Sequence, residues 1–262
     1  MRKTIMVLIF GGVVSALAFS LGADAAGPSS GGKKTLTDGD EVYLIFMRSE
    51  EKLARDVYLT LGELFPGSPV FNNIACLSEQ THTEKVRVLL EKFKIADPED
   101  GTSADYPAPD ADEVGYFQSK YFTSYFTEKF NGLTAVNPQD PGALLAALKN
   151  GAKIEELDMK DINYCNDVIY KAFEFPPPPP DYCGLAVTDV WAIENTMGNL
   201  LAGSVNHLCA FVGQIMPLLN GACYENQVLS ATEVGDIITA NCPELFAAYG
   251  CEATICDYEY KP

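Results

Sequence analysis

The sequence predicts an all-α protein built on four main helices, with one long connection between the second and the third. Three observations lead there. Apolar residues recur at helical three-and-four spacing in four long stretches. Pro and Gly clusters punctuate the chain between those stretches. No segment alternates in the way a series of β-strands would.

The elements follow in order. Arg2 and Lys3 precede an apolar run from Ile5 to Leu21, and Ala23-Asp24-Ala25 offers a small-x-small cleavage site, so residues 1–25 read as a secretion signal. The first cysteine is Cys76, which argues against a lipid anchor at that cleavage site. Residues 26–39 read as a Gly/Ser-rich tether. A first helix starts near Gly39 and fades at Phe65-Pro66-Gly67, and a second runs from about Pro69 to Lys94. Residues 99–137 form the crossover, whose aromatic-rich part (Tyr116 to Phe130) has room for a shorter helix. A third helix is expected from about Pro141 to Val168, the run Pro176 to Pro180 breaks the chain, and a fourth covers about Thr188 to Met216. Residues 40–216 make up the helical domain. Residues 217–262 form a Cys-rich extension, with one more helix near Ala231–Ala240.

Export is consistent with the cysteines. All eight lie beyond the leader, an even number suited to disulfides, and no CxxC pair suggests a thiolate zinc or thioredoxin-like site. A bridge between Cys165 and Cys183, closing the proline loop, is the pairing expected first. Removing residues 1–25 takes away Arg2, Lys3 and Asp24, so 18 basic and 36 acidic residues become 16 and 35. Such a surface disfavours nucleic acid and anionic membrane and favours cations. No segment after the leader is expected to span a membrane.

The chemistry lies on the core stripes. The first helix offers Met47, Glu51, Ala54, Tyr58 and Leu61; the second Ala75, Glu79, His82, Val86, Leu89 and Phe93. The third gives Leu144, Leu148, Gly151, Glu155, Asp158 and Ile162, and the fourth Ile193, Met197, Leu200, Ser204, His207 and Phe211. Three of these stripes carry an ionisable carboxylate, two carry a histidine, and these are the only histidines in the chain. Buried carboxylates facing one another are costly, and a bound cation removes both the desolvation and the repulsion. Glu79 and His82 form the Glu-x-x-His element that projects inward in di-iron bundles. Blander readings exist for each residue. Glu51 sits in Ser49-Glu50-Glu51-Lys52, which also reads as a solvated charge cluster. Glu79 has Lys85 and Arg87 as alternative partners, and Tyr58 packs in the core or donates to a ligand. Asn206 is placed to hydrogen-bond a ligand at most.

The same residues carry a resemblance. Glu51 to Tyr58 resembles the E-x-x-A-R-x-x-Y of the first helix in rubrerythrin-type proteins, and Phe71–His82 their second-helix metal segment. Closer still, residues 50–58 (EEKLARDVY), 78–84 (SEQTHTE), 151–158 and 203–211 resemble the DUF2202 family of ferritin-like proteins. That resemblance implies a ferritin-like four-helix bundle with Glu51, Glu79, His82, Glu155 and His207 as metal ligands. In one respect the chain departs from a full di-iron set, because Gly203 and Ser204 stand where a glutamate is expected. The centre is then an asymmetric di-iron site completed by Asp158 or Glu156, or a single-metal site. Carboxylate and imidazole suit iron, with manganese the alternative; copper(I) would want sulfur and calcium an all-oxygen cage. The implied function is oxidase- or peroxidase-type redox chemistry. The alternative is a non-catalytic, disulfide-stabilised exported protein, with a structural metal or none, that binds a cell-surface partner. Iron storage in a cage is disfavoured, since the tail and crossover would have to fit a repeating shell.

Overall fold

The computed structural model describes residues 36–100, 113–173, 182–220 and 222–245, so the expected leader and most of the expected tether lie outside the described residues. Among these residues the fold is all-α, with no strand. Helix α1 spans Asp38–Leu64, starting slightly inside the expected tether. Thr37 caps it, accepting from the Asp40 backbone while the Asp40 carboxylate accepts from the Thr37 backbone. The second expected helix is one rod in three parts: α2 (Val70–Ile74), a π turn (Ala75–Glu79) and α3 (Gln80–Phe93). Lys94, in the left-handed region at φ 61°, ends it.

The crossover holds α4 (Thr123–Thr134). The third expected helix is shorter than predicted, because α5 stops at Asn163 and α6 (Asp167–Phe173) follows after a break. That break begins the loop closed by the Cys165–Cys183 disulfide, the bridge anticipated from the sequence. Helix α7 spans Trp191–Ile215 and continues as a 3₁₀ turn, Met216–Leu219. Helix α8 (Ala231–Asn241) follows with its own Ser230/Glu233 capping box.

Helix α1 packs on α3 and α5, and α7 packs on both of these, which closes a ring of contacts around one core. The far side of α1 is not open to water. Helix α4 lies against it through Phe46, Phe122 and Phe126, and residues 97–99 and 113–117 cover the rest. Every residue from Val42 to Tyr58 is therefore buried. This overturns the solvated-cluster reading of Ser49–Lys52.

The C-terminal extension is not a separate appendage over its described part. Tyr224, Val234, Ile238 and Cys242 belong to the main core, and a Cys209–Cys242 disulfide fastens α8 to α7. One expectation needs correction. The segment Trp191–Leu219 is long and apolar enough to cross a membrane by length and composition. Its apolarity is accounted for by packing, since Ile193, Met197, Leu200, Leu208, Phe211 and Ile215 are all in the core.

Candidate metal centre

Four helices send one or two polar side chains each into the middle of the core. Glu51 comes from α1, Glu79 and His82 from the π turn and α3, Glu155 and Asp158 from α5, and Ser204 and His207 from α7. All seven are buried, none more than 7% exposed. Five form two trios that share a member: Glu51, Glu79 and His82, and Glu79, Glu155 and His207. The π turn ends at Glu79, so the wider turn immediately precedes the shared ligand candidate; single π turns inside α-helices recur at functional sites.

Distances define the arrangement. His82 Nδ1 lies 3.3 Å from Glu51 Oε2 and 3.3 Å from Glu79 Oε2. His207 Nδ1 lies 2.8 Å from Glu79 Oε1 and 3.4 Å from Glu155 Oε2. Glu79 thus offers one oxygen to each imidazole, and the rings stand 5.5 Å apart. These close approaches lack hydrogen-bond alignment: both Nδ1 atoms, Glu51 Oε1 and Asp158 Oδ1 are buried without a hydrogen-bond partner. Unpartnered nitrogen and oxygen ligand atoms converging from several helices fit a divalent cation.

The electrostatics show the same deficit. Burial pushes Glu51 up to about 7 against the pull of His82. Burial also raises Glu155, and it raises Asp158 well above the usual carboxylate range with Glu51 and Glu155 adding to the effect. Glu79 is the exception. Burial pushes it up, but His207 and His82 together hold it at about 2. Burial works against protonating the imidazoles, yet Glu51 and Glu79 raise His82 to about 11, and Glu155 and Glu79 raise His207 to about 10.

Neighbouring groups orient the ligand candidates. Tyr58 donates its hydroxyl to Glu155 Oε1 and also approaches the Gly151 carbonyl, so it is a donor as well as a core residue. Ser204, standing where a glutamate was expected, donates to Asp158. Gly203 clarifies the departure further, for a Cβ there would lie 2.4 Å from His82 Cε1 and 2.5 Å from Nε2. The imidazole of His82 occupies the space that a side chain at 203 would need.

Residues 40–171 match the model of a family described as an uncharacterized protein domain, DUF2202. The chain belongs to the DUF2202 family. That segment contains Glu51, Glu79, His82 and Glu155, while His207 lies beyond it. A relative in Methanocaldococcus jannaschii, the uncharacterized protein MJ0754, is 33% identical over 209 residues, covering 80% of this chain and 91% of the relative. A crystal structure titled as hypothetical protein MJ0754 from Methanococcus jannaschii DSM 2661 superposes with a TM-score of 0.59 at 34% identity, covering 80% of this chain and 98% of that one.

Not every predicted site residue of this DUF2202 chain joins the trios. Asp158 faces the same interior but lies outside both. Glu156 turns away from them. Its carboxylate accepts from Tyr224 Oη at 2.7 Å and from the backbone N–H groups of Gln227, Val228 and Leu229 at 2.8, 2.6 and 2.9 Å. It anchors the C-terminal segment, so the suggestion that Glu156 completes the ligand count is corrected. Asn206 is exposed and takes no part. Arg87 pairs with Glu84 and Glu91 at the surface, away from Glu79. Sequence reasoning missed the π turn and the use of Gly203 as clearance; Gly at helix interior position 203 was the signal available for the second.

Proposed function

We propose that this DUF2202 protein is an exported, ferritin-like four-helix-bundle metalloprotein that holds iron, with manganese the alternative, at a two-position carboxylate/histidine centre serving oxidase- or peroxidase-type chemistry. The observation that carries the reading is Glu79, with one oxygen toward His82 and the other toward His207. Glu51 and His82 serve one position, Glu155 and His207 the other, and Glu79 both. Bound iron would supply the redox equivalents for oxygen or peroxide reduction. The chain's own contribution is to orient and to exclude water. Tyr58 holds one oxygen of Glu155, leaving the other toward His207. Ser78 Oγ lies 3.4 Å from His82 Nε2, on the side of the ring away from the carboxylates, which leaves Nδ1 facing the trio. Export rests on the leader at residues 1–25.

The depth of the trios favours a second reading, a closed structural metal in a non-catalytic protein that binds at a cell surface. Elemental analysis of the mature protein, produced without a histidine tag and beside His82→Ala/His207→Ala, tests the centre. About two iron or manganese ions per chain, lost in the variant, are expected. No bound transition metal after anaerobic reconstitution with iron(II) would sink the proposal. Dioxygen consumption by the iron(II)-loaded protein separates the readings, its absence favouring the structural one.

A further inference from the structure

Helices α4 and α5 line a groove of about 460 Å³ between them. Its walls come from one face of each helix: Tyr125, Glu128, Lys129, Gly132 and Leu133 from α4, and Asn150, Lys153, Ile154 and Leu157 from α5. The volume lies within the range of about 300–1,000 Å³ typical of small-molecule sites. This groove is separate from the metal centre, since Ile154 and Leu157 point toward α4 while Glu155 and Asp158 point into the core.

Its charge is unusual for this protein. The chain has 36 acidic residues against 18 basic ones, yet two lysines converge on this groove. Neither forms an ion pair among the described residues. Lys129 is half-buried beside the Tyr125 ring, 5.4 Å from its centroid. Burial, then the charge of Lys153, lowers its pKa, and the weaker opposing pull of Asp161 and Glu50 does not cancel them. Between and behind them Leu133, Ile154 and Leu157 give an apolar wall. Gly132 keeps the groove open: a Cβ there meets nothing within 4 Å, so packing does not require glycine at this interior helix position. Glu128 on the same wall opposes a second negative charge.

We propose that the α4–α5 groove binds a small organic monocarboxylate with an apolar body, its carboxylate held by Lys129 and Lys153 and its body lying against Leu133, Ile154, Leu157 and the Tyr125 ring. The site is independent of the metal reading. Isothermal titration of the full mature, metal-loaded protein with benzoate as the probe tests it, with benzamide and inorganic phosphate as comparators. Saturable benzoate binding is expected, weakened about tenfold or more in Lys129→Met/Lys153→Met. Gly132→Leu, which fills the groove without touching the lysines, is expected to do the same. Both variants should keep the native circular dichroism and metal content. Absence of saturable binding overturns the proposal, as does binding that both variants leave unchanged. Benzamide or phosphate binding as tightly as benzoate overturns the ligand class.

Discussion

Lys52, Arg55 and Asp56 are buried on the same helix as Glu51, but the two groups are satisfied in opposite ways. Asp56 receives Lys52 and the Gly115 N–H on one oxygen and Arg55 on the other. Lys52 also donates to the Glu113 carbonyl at 2.9 Å and lies 4.9 Å from the Phe117 ring. That layer brings its own cations and pins the crossover onto α1. Glu51, Glu79, Glu155 and Asp158 pair with no lysine or arginine among the described residues, only with two imidazoles and the hydroxyls of Tyr58 and Ser204. Glu156 makes a third case, a buried carboxylate fully occupied by donors from the C-terminal segment. Burial of charge therefore does not by itself identify a ligand site. The shortage of internal donors does.

The contrast can be broken most severely at Glu79. Glu79→Ala removes the one carboxylate common to both trios, and metal content is expected to fall from about two ions per chain to near zero by elemental analysis. Retention of one ion would show that the trios are independent. Lys52→Met attacks the other layer. It leaves Asp56 with Arg55 and the Gly115 N–H, and urea denaturation of the metal-free protein should register a loss of about 3 kcal/mol. Its metal stoichiometry should be unchanged once refolded protein is selected, and a loss of metal would mean that the two layers are coupled.

Gly203→Ala sharpens the comparison within the centre. The added methyl collides with His82 and not with His207, so metal titration should show one position weakened about tenfold or more and the other retained. Equal weakening of both would refute the assignment of Gly203 as clearance for His82.

The smallest effect concerns protons. With His82 raised to about 11 and His207 to about 10, both imidazoles are protonated at pH 7 in the metal-free protein. Each proton must leave before Nδ1 binds a cation, and Glu51, at about 7, is half-protonated there. Metal affinity should rise with pH through 7, and addition of manganese(II) in weak buffer should release protons. In the metal-free protein the histidine shifts stabilise the fold below the ordinary histidine pKa of about 6.5, and that stabilisation is lost as pH rises through 10 to 11. Glu51 adds a loss of the same sign at lower pH: its raised pKa costs stability as pH climbs from about 4.5 to about 7. Metal affinity independent of pH between 6 and 8 would contradict these protonation states.

Much of the helical framework was legible because α1, the rod from Val70 to Phe93, and α7 each present a continuous apolar stripe, which periodicity detects. The stripe logic also brought Glu51, Glu79, His82, Glu155 and His207 together in advance. It put Glu155 on the stripe but left Glu156, adjacent on α5 and also buried, as a candidate to complete the ligand count, because the donors that claim Glu156 come from residues 224–229. It could not see the break after Asn163, since Tyr164 to Asn166 contain no Gly or Pro; the structure places the bridge to Cys183 there, with Asn166 accepting from the Val168 N–H.

By itself the sequence determined the helical class and the order of the long helices, made Cys165–Cys183 the first bridge to expect, and put Glu51, Glu79, His82, Glu155 and His207 on stripes facing one interior. Spacing along a helix is a local property that each stretch carries on its own. Tertiary structure alone decided that α1 is enclosed on every side, that Glu156 is a tether and that Glu79 stands between the two imidazoles. Those outcomes depend on which donors arrive from distant segments, and a carboxylate's role is set by the partners that reach it.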